Sequence, residues 1–362
     1  MTKPIRPEDL VIHVLNIGFG DAIVVELPAD EQGQRRHGVV DCYLAKKTLA
    51  YLGRLAQARP ARRQLAFLCI THPHRDHILG ALPLLKDATC RPLEFWDSGF
   101  RHNSTTYRDV LNALCEQRIR LIRVSSGMEW YFGRVRITAL APSVALRNRY
   151  ATYGVDSNNA SIVLRLEHHD TDVMMVSSLP YGGTSGSTSE HKAGQAVVIL
   201  GGDAEFDSWA RISDEFPHLE RTSENEPLVE KKIVDQLACD VVKVSHHGSM
   251  HSVPLNVFER MAPQLAIVST KQELGEKQVG SQKIMRGMFP HQTTALSLEE
   301  VGARVATTDG SYESTPLGAS AVRDPELAHP GSVVVVVPPA GRARWIKLSD
   351  TEDQVPNPPT EI

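Results

Sequence analysis

Side chains that bind metal ions are concentrated between residues 71 and 77, where the sequence reads THPHRDH. His72, His74 and His77 supply three imidazoles and Asp76 supplies one carboxylate within six residues. Neutral imidazole and carboxylate are ligands that suit zinc or manganese. A strand is predicted from 64 to 70, and a strand end followed by a tight turn can point several side chains at one position. The spacing therefore predicts a metal site at the end of this strand.

Other candidate ligands also follow apolar segments. Asp203 comes after a predicted strand and two glycines, which let the backbone turn sharply and bring a carboxylate close to a ligand. His246 and His247 come directly after another predicted strand, and Asp41 ends a third. Each of these signals alone is also typical of an ordinary turn or strand cap. They point to a site only in combination with the histidine run.

The elements that must position these residues alternate along the chain. Apolar runs bounded by turn residues predict strands over 11–16, 22–27, 38–41, 64–70, 119–124, 135–141, 161–167, 172–176, 197–200, 240–244, 265–269 and 304–307, and a closing hairpin of 333–337 with 344–348. Helical spacing predicts helices over 43–58, 78–86, 105–116 and 227–237. Strands and helices mixed throughout indicate an α/β architecture built in layers.

The chain is predicted to form one domain over residues 1–350, with two less regular segments. Residues 180–194 are rich in Gly, Ser and Thr, which predicts a flexible surface insertion. Residues 351–362 are polar and contain three prolines, which predicts a disordered tail. His168 and His169 lie in a polar stretch and are expected to be exposed in a turn.

Composition excludes several classes of protein. A hydrophobic fraction of 41% and a charged fraction of 23% are typical of a soluble globular chain. The longest apolar runs, such as Val333 to Val337, fall far short of the roughly 20 residues that a membrane helix needs. The first residues lack the apolar segment of a secretory signal, and the five cysteines are odd in number without a CxxC pair. We therefore expect a cytoplasmic protein with reduced thiols and no membrane contact.

Positive charge is unevenly distributed along the chain. Residues 51–150 contain 16 Lys and Arg against 7 Asp and Glu, in a chain whose net charge is -4. Nearly all of these cations are arginines, whose forked guanidinium suits contacts to phosphate. Candidate contacts to a nucleic-acid backbone are Arg101, His102, Arg108, Arg118, Arg120 and Arg123. A set of unrelated solvated faces explains the same count equally well, so both interpretations stay open at this point.

The ordered series of candidate ligands matches a known pattern. Asp41, the run from 72 to 77, Asp203 and the pair His246-His247 resemble the metallo-β-lactamase fold superfamily. The segments at 14–22, 158–164 and 243–249 read VLNIGFGDA, NNASIVL and KVSHHGS, and they are similar to the soluble hydrolase domain of ComEC competence proteins and its stand-alone relatives. The resemblance runs from residue 11 to residue 310. It implies a four-layer αββα sandwich, with two mixed sheets face to face and metal ions at one edge.

The resemblance also implies a cofactor, namely one or two divalent ions, Zn²⁺ or Mn²⁺. The implied metal ligands are His72, His74, Asp76, His77, Asp203 and His247. His72 and His74 would hold one ion. Asp76 and His77 would hold another together with His247, and Asp203 would bridge the two ions. Whether His247 or its neighbour His246 is the ligand stays open.

Other residues are implied to act around the metal ions. Asp41 would lie behind the histidine loop and orient it. His246 would face the substrate as a phosphate contact or proton donor, and Asp76 and His246 are the residues predicted to act in catalysis. Further predicted substrate contacts are Arg75, His102 and Ser249. For Arg75, which lies between two ligands, a position in open solvent is an equally good interpretation.

The sequence departs from the family pattern near the first ion. Most members supply another histidine there, where this chain has Asn158 or Asn159, which are poor ligands and are expected to lie beside the site. The first ion is then expected to bind weakly or to take a ligand from His102 or His291. The usual glutamine of the glycine turn is Phe19, and the insertion at 180–194 could act as a lid or a partner contact. The membrane segments of the competence protein are absent.

The chemistry implied by such a centre is hydrolysis. Two divalent ions about 3.5–4 Å apart can share one hydroxide and lower its pKa towards ~7, which supplies a nucleophile at neutral pH. The sequence has no convincing Gly-x-Ser-x-Gly elbow that would offer a serine instead. The predicted function is therefore a metal-dependent hydrolase, specifically a phosphodiesterase or nuclease acting on DNA or another nucleic acid.

Two other functions remain open from the sequence. The first alternative is hydrolysis of a carboxyl ester, lactone, thioester or β-lactam, because the same nucleophile could attack a carbonyl carbon. The second is a non-catalytic metal-binding module. Beyond the nucleic-acid substrate, a protein partner encoded by a neighbouring gene is considered, and the oligomeric state is left open.

Overall fold

The computed structural model describes residues 2–100, 102–146, 156–170, 195–217, 235–271, 276–279, 282–285, 289–311 and 326–362. The insertion predicted at 180–194, the strand predicted at 172–176 and residues 227–234 of the helix predicted at 227–237 lie outside the described residues, and so does Arg101. Within the described part of the chain, no helix combines the length and the apolar character that crossing a membrane requires.

Most strands lie where apolar runs predict them. In chain order the strands are β1 Leu10–Val14, β2 Ala22–Glu26, β3 His37–Cys42, β4 Leu65–Ile70, β5 Pro92–Asp97, β6 Arg120–Arg123, β7 Glu129–Phe132, β8 Val135–Ala141, β9 Val163–His168, β10 Val197–Leu200, β11 Val241–Lys243, β12 Leu265–Val268, β13 Glu276–Val279, β14 Gln282–Met285, β15 Arg304–Thr307, β16 Val333–Val337 and β17 Arg344–Lys347. Sequence patterns missed β5, β7, β13 and β14, because each of these short strands includes charged or polar residues and has no long apolar run.

The strands form two large mixed sheets and one separate hairpin of β13 and β14. The first sheet has eight strands in the order β17-β16-β1-β2-β3-β4-β5-β6. It is antiparallel from β17 to β3 and parallel from β3 to β6. The second sheet has seven strands in the order β15-β12-β11-β10-β9-β8-β7. It is antiparallel from β7 to β10 and parallel from β10 to β15.

Helices cover the outer faces of the sheets. They are α1 Ala45–Ala58, α2 Arg75–Ile78, α3 Ala81–Lys86, α4 Thr105–Gln117, α5 Phe206–Glu215, α6 Leu255–Met261 and α7 Gln292–Glu300, with a short 3-10 turn at Ser245–Gly248. The single helix predicted over 78–86 is two helices that meet near Gly80. The Gly80 N–H donates to the Cys42 carbonyl at 2.6 Å, and this bond to β3 replaces a bond within a continuous helix.

Three apolar clusters define the layers. Inward-facing residues of both sheets, such as Ile12 and Leu164, pack together in one cluster. A second cluster joins the outer face of the eight-stranded sheet to α1, α3 and α4. A third joins the outer face of the seven-stranded sheet to α5, α6 and α7, with Trp209 fully buried in it. The order helix, sheet, sheet, helix confirms the four-layer αββα sandwich predicted from the sequence.

The C-terminal segment differs from its prediction. Residues 351–362 were expected to be a disordered tail, but they lie along α1 and the N-terminal segment. Arg54 donates to the Val355 carbonyl, and Arg59 donates to the Pro359 carbonyl at 2.8 Å. The N–H of Ile362 donates to the Lys3 carbonyl at 2.9 Å. The prediction of a disordered tail was wrong because it weighed polarity and proline content, whereas backbone carbonyls of this segment bind arginines distant in sequence.

A second correction concerns the histidine pair at the end of β9. His168 is fully buried, and its Nδ1–H donates to the Val337 carbonyl at 2.8 Å. The strand runs one residue further than predicted and ends at His168. The prediction of an exposed turn was therefore wrong for His168, because a neighbouring β-strand covers it.

Candidate metal centre

The candidate ligands lie where strand ends from both sheets meet. The histidine run follows β4 directly and continues into α2. Asp203 follows β10, and His247 follows β11 within the 3-10 turn. Parallel strands present their carboxyl ends at one edge of a sheet, so these short connections gather side chains that are distant in sequence. The site therefore forms at the edge that the sequence predicted.

Two buried histidines are held in one orientation by their Nδ1 atoms. The Nδ1–H of His77 donates to Oδ2 of Asp41 at 2.7 Å. The Nδ1–H of His247 donates to the Ser269 carbonyl at 2.8 Å. A neutral imidazole that donates through Nδ1 has its free lone pair on Nε2. In the neutral form that metal binding requires, both rings therefore aim an Nε2 electron pair into the centre.

His72 follows the same pattern through Thr71. The Thr71 hydroxyl donates to Oδ2 of Asp41 at 2.8 Å and lies 3.2 Å from Nδ1 of His72, so the ring nitrogen is the donor. The Nε2 atoms of His72, His77 and His247 are all buried without a hydrogen-bond partner among the described residues. Three buried lone pairs left unsatisfied in one place are costly unless something else binds them.

Two carboxylates approach these nitrogen atoms. Oδ1 of Asp203 is 3.2 Å from Nε2 of His77 and 4.0 Å from Nε2 of His247. Its other oxygen, Oδ2, is 3.7 Å from Nε2 of His72. Oδ2 of Asp76 is 3.4 Å from Nε2 of His247 and 3.9 Å from Nε2 of His77. Asp203 thus lies centrally and reaches both halves of the predicted site.

Four of these residues form the tightest group. One ligand atom from each of Asp76, His77, Asp203 and His247 lies within 4.8 Å of the others. Ligand atoms about 2 Å from a common ion are about 3–4 Å apart, so a small adjustment is enough to surround one ion. The donor set of two imidazoles and two carboxylates suits zinc or manganese. These residues fit a divalent metal ion.

The electrostatics of the group favour a cation in its centre. Burial would raise the pKa of Asp203, but the imidazoles of His77 and His247 outweigh it and hold that pKa well below its usual value. Burial would lower the pKa of His77, but Asp203 and Asp41 raise it well above its usual value. Surroundings that attract a proton this strongly also attract a divalent ion, whose binding then displaces the proton.

The half of the site at His72 and His74 is less complete. Their ring centroids are 4.5 Å apart, but Nε2 of His74 lies 2.5 Å from the Ser157 hydroxyl oxygen. The ring of His102 is 5.7 Å from that of His74, and its Nδ1 is buried without a partner among the described residues. His291 accepts a backbone N–H at the start of α7 and takes no part in this half.

His246 lies beside the centre and contacts a carboxylate. Its Nδ1 is 2.9 Å from Oε1 of Glu205 and 3.1 Å from the Ser249 hydroxyl oxygen. The same Glu205 oxygen accepts from Nδ2 of Asn158 at 3.0 Å. Burial lowers the pKa of His246, but the hydrogen bond with Glu205 and the negative charges of Asp203, Glu205 and Asp76 together raise it above its usual value. Of the histidine pair, His247 therefore enters the ligand group and His246 faces its rim.

Three other predicted residues have the following surroundings. Oδ1 of Asn159 accepts the Ser208 N–H at 3.0 Å, at the start of α5, the helix that follows Asp203. Asn158 reaches Glu205 rather than the place of the missing histidine. Arg75 is exposed and precedes Asp76 in α2.

The backbone around the ligands is strained. Asp41, His246 and His247 have φ values of 56°, 46° and 52°, in the left-handed region that residues with a side chain rarely adopt. Such conformations cost about 1–3 kcal/mol each and cluster at functional sites. Gly202 has a φ of 51°, and a Cβ there would lie 3.0 Å from the Ile162 carbonyl oxygen, so the turn that carries Asp203 requires glycine.

An aromatic wall covers one ligand. The ring of Phe19 packs on that of His247 with centroids 4.5 Å apart, and Phe289 packs on Phe19 at 5.3 Å. Phe19 is partly exposed. The residue that replaces the usual glutamine of the glycine turn therefore shields His247 from solvent on one side.

Three of the arginines within residues 51–150 form ion pairs with nearby carboxylates. Arg59 pairs with Glu26 at 2.7 Å, Arg62 pairs with Asp30 at 2.6 Å, and Arg120 pairs with Glu94 at 2.9 Å. Each of these guanidinium groups is balanced by a local carboxylate. Arg120 is predicted to contact a nucleic-acid backbone, but its guanidinium already forms an ion pair with Glu94. The charge count alone does not locate a binding surface.

Sequence reasoning missed several residues around the centre. Glu205 contacts His246, Ser157 contacts His74, and Lys243 pairs with Asp21 in the interior. One signal was present in the sequence: Lys243 interrupts a run of valines in a strand that is otherwise apolar. A charged residue in a buried strand requires a partner, but the sequence does not show which residue this partner is.

Comparison with known proteins gives one curated relative. No protein-family model matches the chain. The chain is 26% identical over 247 residues to ComE operon protein 3 of Bacillus subtilis (strain 168). The match covers 68% of this chain and 24% of that protein, so the chain spans about a quarter of the length of the relative it matches.

Several solved structures are also similar over much of the chain. Igni18, a metallo hydrolase from Ignicoccus hospitalis, matches with a TM-score of 0.38 and 14% identity, over 84% of this chain and 97% of that one. A long form of RNase Z from yeast matches with a TM-score of 0.34 and 13% identity, over 79% and 41%. The metallo-β-lactamase SMB-1 matches with a TM-score of 0.33 and 14% identity, over 65% and 78%.

Proposed function

We propose that this chain, which has the metallo-β-lactamase fold, is a metal-dependent hydrolase that cleaves phosphodiester bonds in nucleic acid. The observation that carries the proposal is the convergence of buried Nε2 lone pairs from His72, His77 and His247 on the carboxylates of Asp76 and Asp203. Side chains this polar are buried together only where they bind something.

The proposed metal ligands are Asp76, His77, Asp203 and His247, with Asp203 also reaching towards His72. A divalent ion held by them would activate a water molecule for attack and offset the negative charge that develops on the attacked group. The chain itself fixes the ligands beforehand. Asp41 orients His77, the Ser269 carbonyl orients His247, and neither ring has to turn when a metal ion binds.

His246 is the proposed proton donor and phosphate contact. Glu205 holds Nδ1 of His246 at 2.9 Å, which fixes the ring and leaves Nε2 as the second ring nitrogen for the substrate. The raised pKa of His246 keeps more of the imidazole protonated near neutral pH. An imidazolium can bind a phosphate oxygen and can give a proton to the leaving alkoxide. Ser249 and Arg75 are proposed as further contacts to the phosphate.

Nucleic acid is proposed as the substrate on two grounds. The curated relative is ComE operon protein 3, and a long form of RNase Z from yeast is among the similar structures. Two side chains that can carry positive charge flank ligands in the sequence: Arg75, which is exposed, precedes Asp76, and His246, which is partly exposed, precedes His247; both suit an anionic substrate. Arg75, His102 and Ser249 are the proposed contacts, and binding that depends on cations should weaken as salt concentration rises.

A nuclease assay with a matched variant tests the proposal. Wild-type protein is compared with the Asp76→Ala/His77→Ala variant on labelled DNA, labelled RNA and a bis-aryl phosphodiester, in Mn²⁺, Zn²⁺ and Mg²⁺. We expect cleavage by the wild type and loss of at least a thousandfold in the variant. Asp207→Ala, which removes an exposed carboxylate on α5, is the control and should retain full activity.

The same samples separate the alternatives. Turnover of a lactone or thioester without any phosphodiester cleavage would assign the centre to carboxyl chemistry. Metal binding without hydrolysis of either class would assign the chain to a binding module. Cleavage that persists in the Asp76→Ala/His77→Ala variant would contradict the proposed centre itself.

A further inference from the structure

A buried ion pair joins the two sheets next to the candidate metal centre. Nζ of Lys243, the last residue of β11, contacts Oδ2 of Asp21. Both side chains are only 1% exposed. Asp21 lies in the glycine turn between β1 and β2 of the eight-stranded sheet, whereas β11 belongs to the seven-stranded sheet. The pair is therefore a bond across the interior of the sandwich.

The Asp21 end of the pair is bonded to one ligand loop. The N–H of Asp21 donates to the carbonyl of Asp76 at 3.1 Å, and the carbonyl of Asp21 accepts the N–H of Tyr43 at 3.0 Å. Oδ2 of Asp21 also lies 3.9 Å from Nδ1 of His77. Any shift of the glycine turn is thereby transmitted to the loop that carries Asp76 and His77.

The Lys243 end is bonded to the other two ligand loops. Its carbonyl accepts the N–H of Gly201 at 3.1 Å, at the start of the turn that carries Asp203. Four residues further along the chain comes His247. The N–H of His246 donates to the Gly202 carbonyl at 3.0 Å, which ties these two loops to each other. A single ion pair thus links the three loops that supply the proposed ligands.

Lys243 also balances the negative charge of Asp21 next to the metal centre. Asp21 lies beside His77, which already contacts Asp41. Without the lysine, Asp21 would be a buried carboxylate with no cation fixed to it, and removal of one partner of a buried pair is strongly destabilising. Among the described residues Lys243 forms an ion pair with Asp21 and none with Asp76 or Asp203, so it leaves both of these carboxylates available for a metal ion.

We infer that Lys243 and Asp21 are positioning residues, whose ion pair holds the ligand loops of the two sheets at the spacing that a divalent ion requires. The inference rests on the proposed function, because it concerns the same metal centre. It assigns to the pair a role in metal affinity that is separate from its contribution to folding. Neither side chain touches the ion or the substrate.

Metal titration of paired variants tests the inference. Mn²⁺ and Zn²⁺ affinities are measured by calorimetry for the wild type, Lys243→Met, and the neutral double variant Asp21→Asn/Lys243→Met. The double variant leaves no unpaired charge in the interior, so we expect it to fold with a melting temperature close to that of the wild type. We expect its metal affinity to fall at least tenfold, because the neutral pair no longer fixes the loops.

Lys347→Met provides a matched control. Lys347 is also a buried lysine, bonded to the carbonyls of Thr307 and Leu327 at 2.6 and 2.7 Å, and it takes no part in the ligand loops. This substitution should lower the melting temperature and leave metal affinity unchanged. The comparison separates loss of stability from loss of loop position.

Each outcome has one meaning. Wild-type metal affinity in the folded double variant would overturn the inference and leave the proposed function intact. A double variant that does not fold would also overturn it, because the pair would then serve the core of the sandwich rather than the loops. Absence of metal binding by the wild type would instead contradict the proposed function. Weakened affinity in the folded double variant, with an unchanged Lys347→Met control, supports the inference.

Discussion

Oδ2 of Asp41 lies 2.7 Å from Nδ1 of His77, while Oδ1 of the same carboxylate accepts the Thr71 N–H at 2.7 Å. One buried side chain therefore fixes both the start of the histidine run and the ring near its end. Burial raises the pKa of Asp41, and its bonds with His77 and Thr71 act against that effect and favour the ionised form. Asp41 thus contributes to the metal centre without reaching the ligand cluster itself.

The first prediction concerns this contact. Asp41→Ala should weaken metal affinity about 10–100-fold, because His77 loses the acceptor that sets its tautomer and orientation. Asp41→Asn should have a smaller effect, because asparagine tolerates the left-handed backbone and keeps one acceptor oxygen. Calorimetric titration with Zn²⁺ measures both. Asp87→Ala, at an exposed turn, should bind metal as the wild type does, and equal affinity in all four proteins would contradict the role of Asp41.

A second prediction follows from the unequal halves of the site. His247→Ala should remove the tightly bound ion, since its Nε2 is one of four atoms in the compact group. His74→Ala should leave that ion in place, since Nε2 of His74 lies against Ser157. Metal content after dialysis, measured by mass spectrometry, distinguishes the two. Loss of all bound metal in His74→Ala would show that the His72 and His74 half is the stronger one.

The local part of the site could be predicted from the sequence. His72, Asp76 and His77 lie within one turn, so their proximity follows from chain connectivity and from the buried strand before them. Most of the strands could also be predicted, because valine-rich runs bounded by turn residues are typical of a sheet interior. The superfamily resemblance added the distant ligands Asp203 and His247, and the structure brings both to the same edge.

The contacts around the ligands could not be predicted in this way. Lys243 and Asp21 are 222 residues apart, and Glu205 meets His246 only because the turns after β10 and β11 lie side by side. Tertiary packing also explains why β16 covers His168. It explains in the same way the bonds from Arg54 and Arg59 to the C-terminal segment. Periodicity and composition carry no information on such pairings, because they report one segment at a time.

A third prediction concerns acid stability. Burial lowers the pKa of His37 to about 4 and that of His168 to about 4, whereas an unfolded chain has its histidines near the ordinary value of 6.5. The unfolded state therefore binds more protons between pH 6.5 and pH 4. Stability is complete above this window and is lost as pH falls through it, by about 3 kcal/mol for each residue.

Urea unfolding at pH 7 and pH 4.5 measures this dependence. His168→Gln should unfold with a shallower pH dependence than the wild type, because glutamine does not titrate and can still donate to the Val337 carbonyl. His329→Gln, at a partly exposed position, should leave the dependence unchanged. A wild-type protein equally stable at both pH values would contradict the buried neutral state of these two histidines.

The last prediction separates proton transfer from metal binding. His246→Gln should lower kcat on a phosphodiester about 10²–10⁴-fold and leave metal content unchanged, because His246 donates to the substrate and not to the ion. Glu205→Gln should change the pH dependence of activity through its effect on the pKa of His246. The protonated form of His246 is present below its pKa and is lost as pH rises through it, so activity should fall on the alkaline side of that value.

Glu205 raises the pKa of His246 through a hydrogen bond, whereas burial lowers it. With Glu205→Gln the effect of burial remains and the raising effect is reduced, so the alkaline fall in activity should move to lower pH. His251→Gln, whose exposed imidazole packs on Phe206 at the same rim, should leave the pH profile in place. The alkaline fall in activity could stay at the same pH in Glu205→Gln, or it could disappear together with the bound metal. Either result would mean that a group other than His246 supplies the proton.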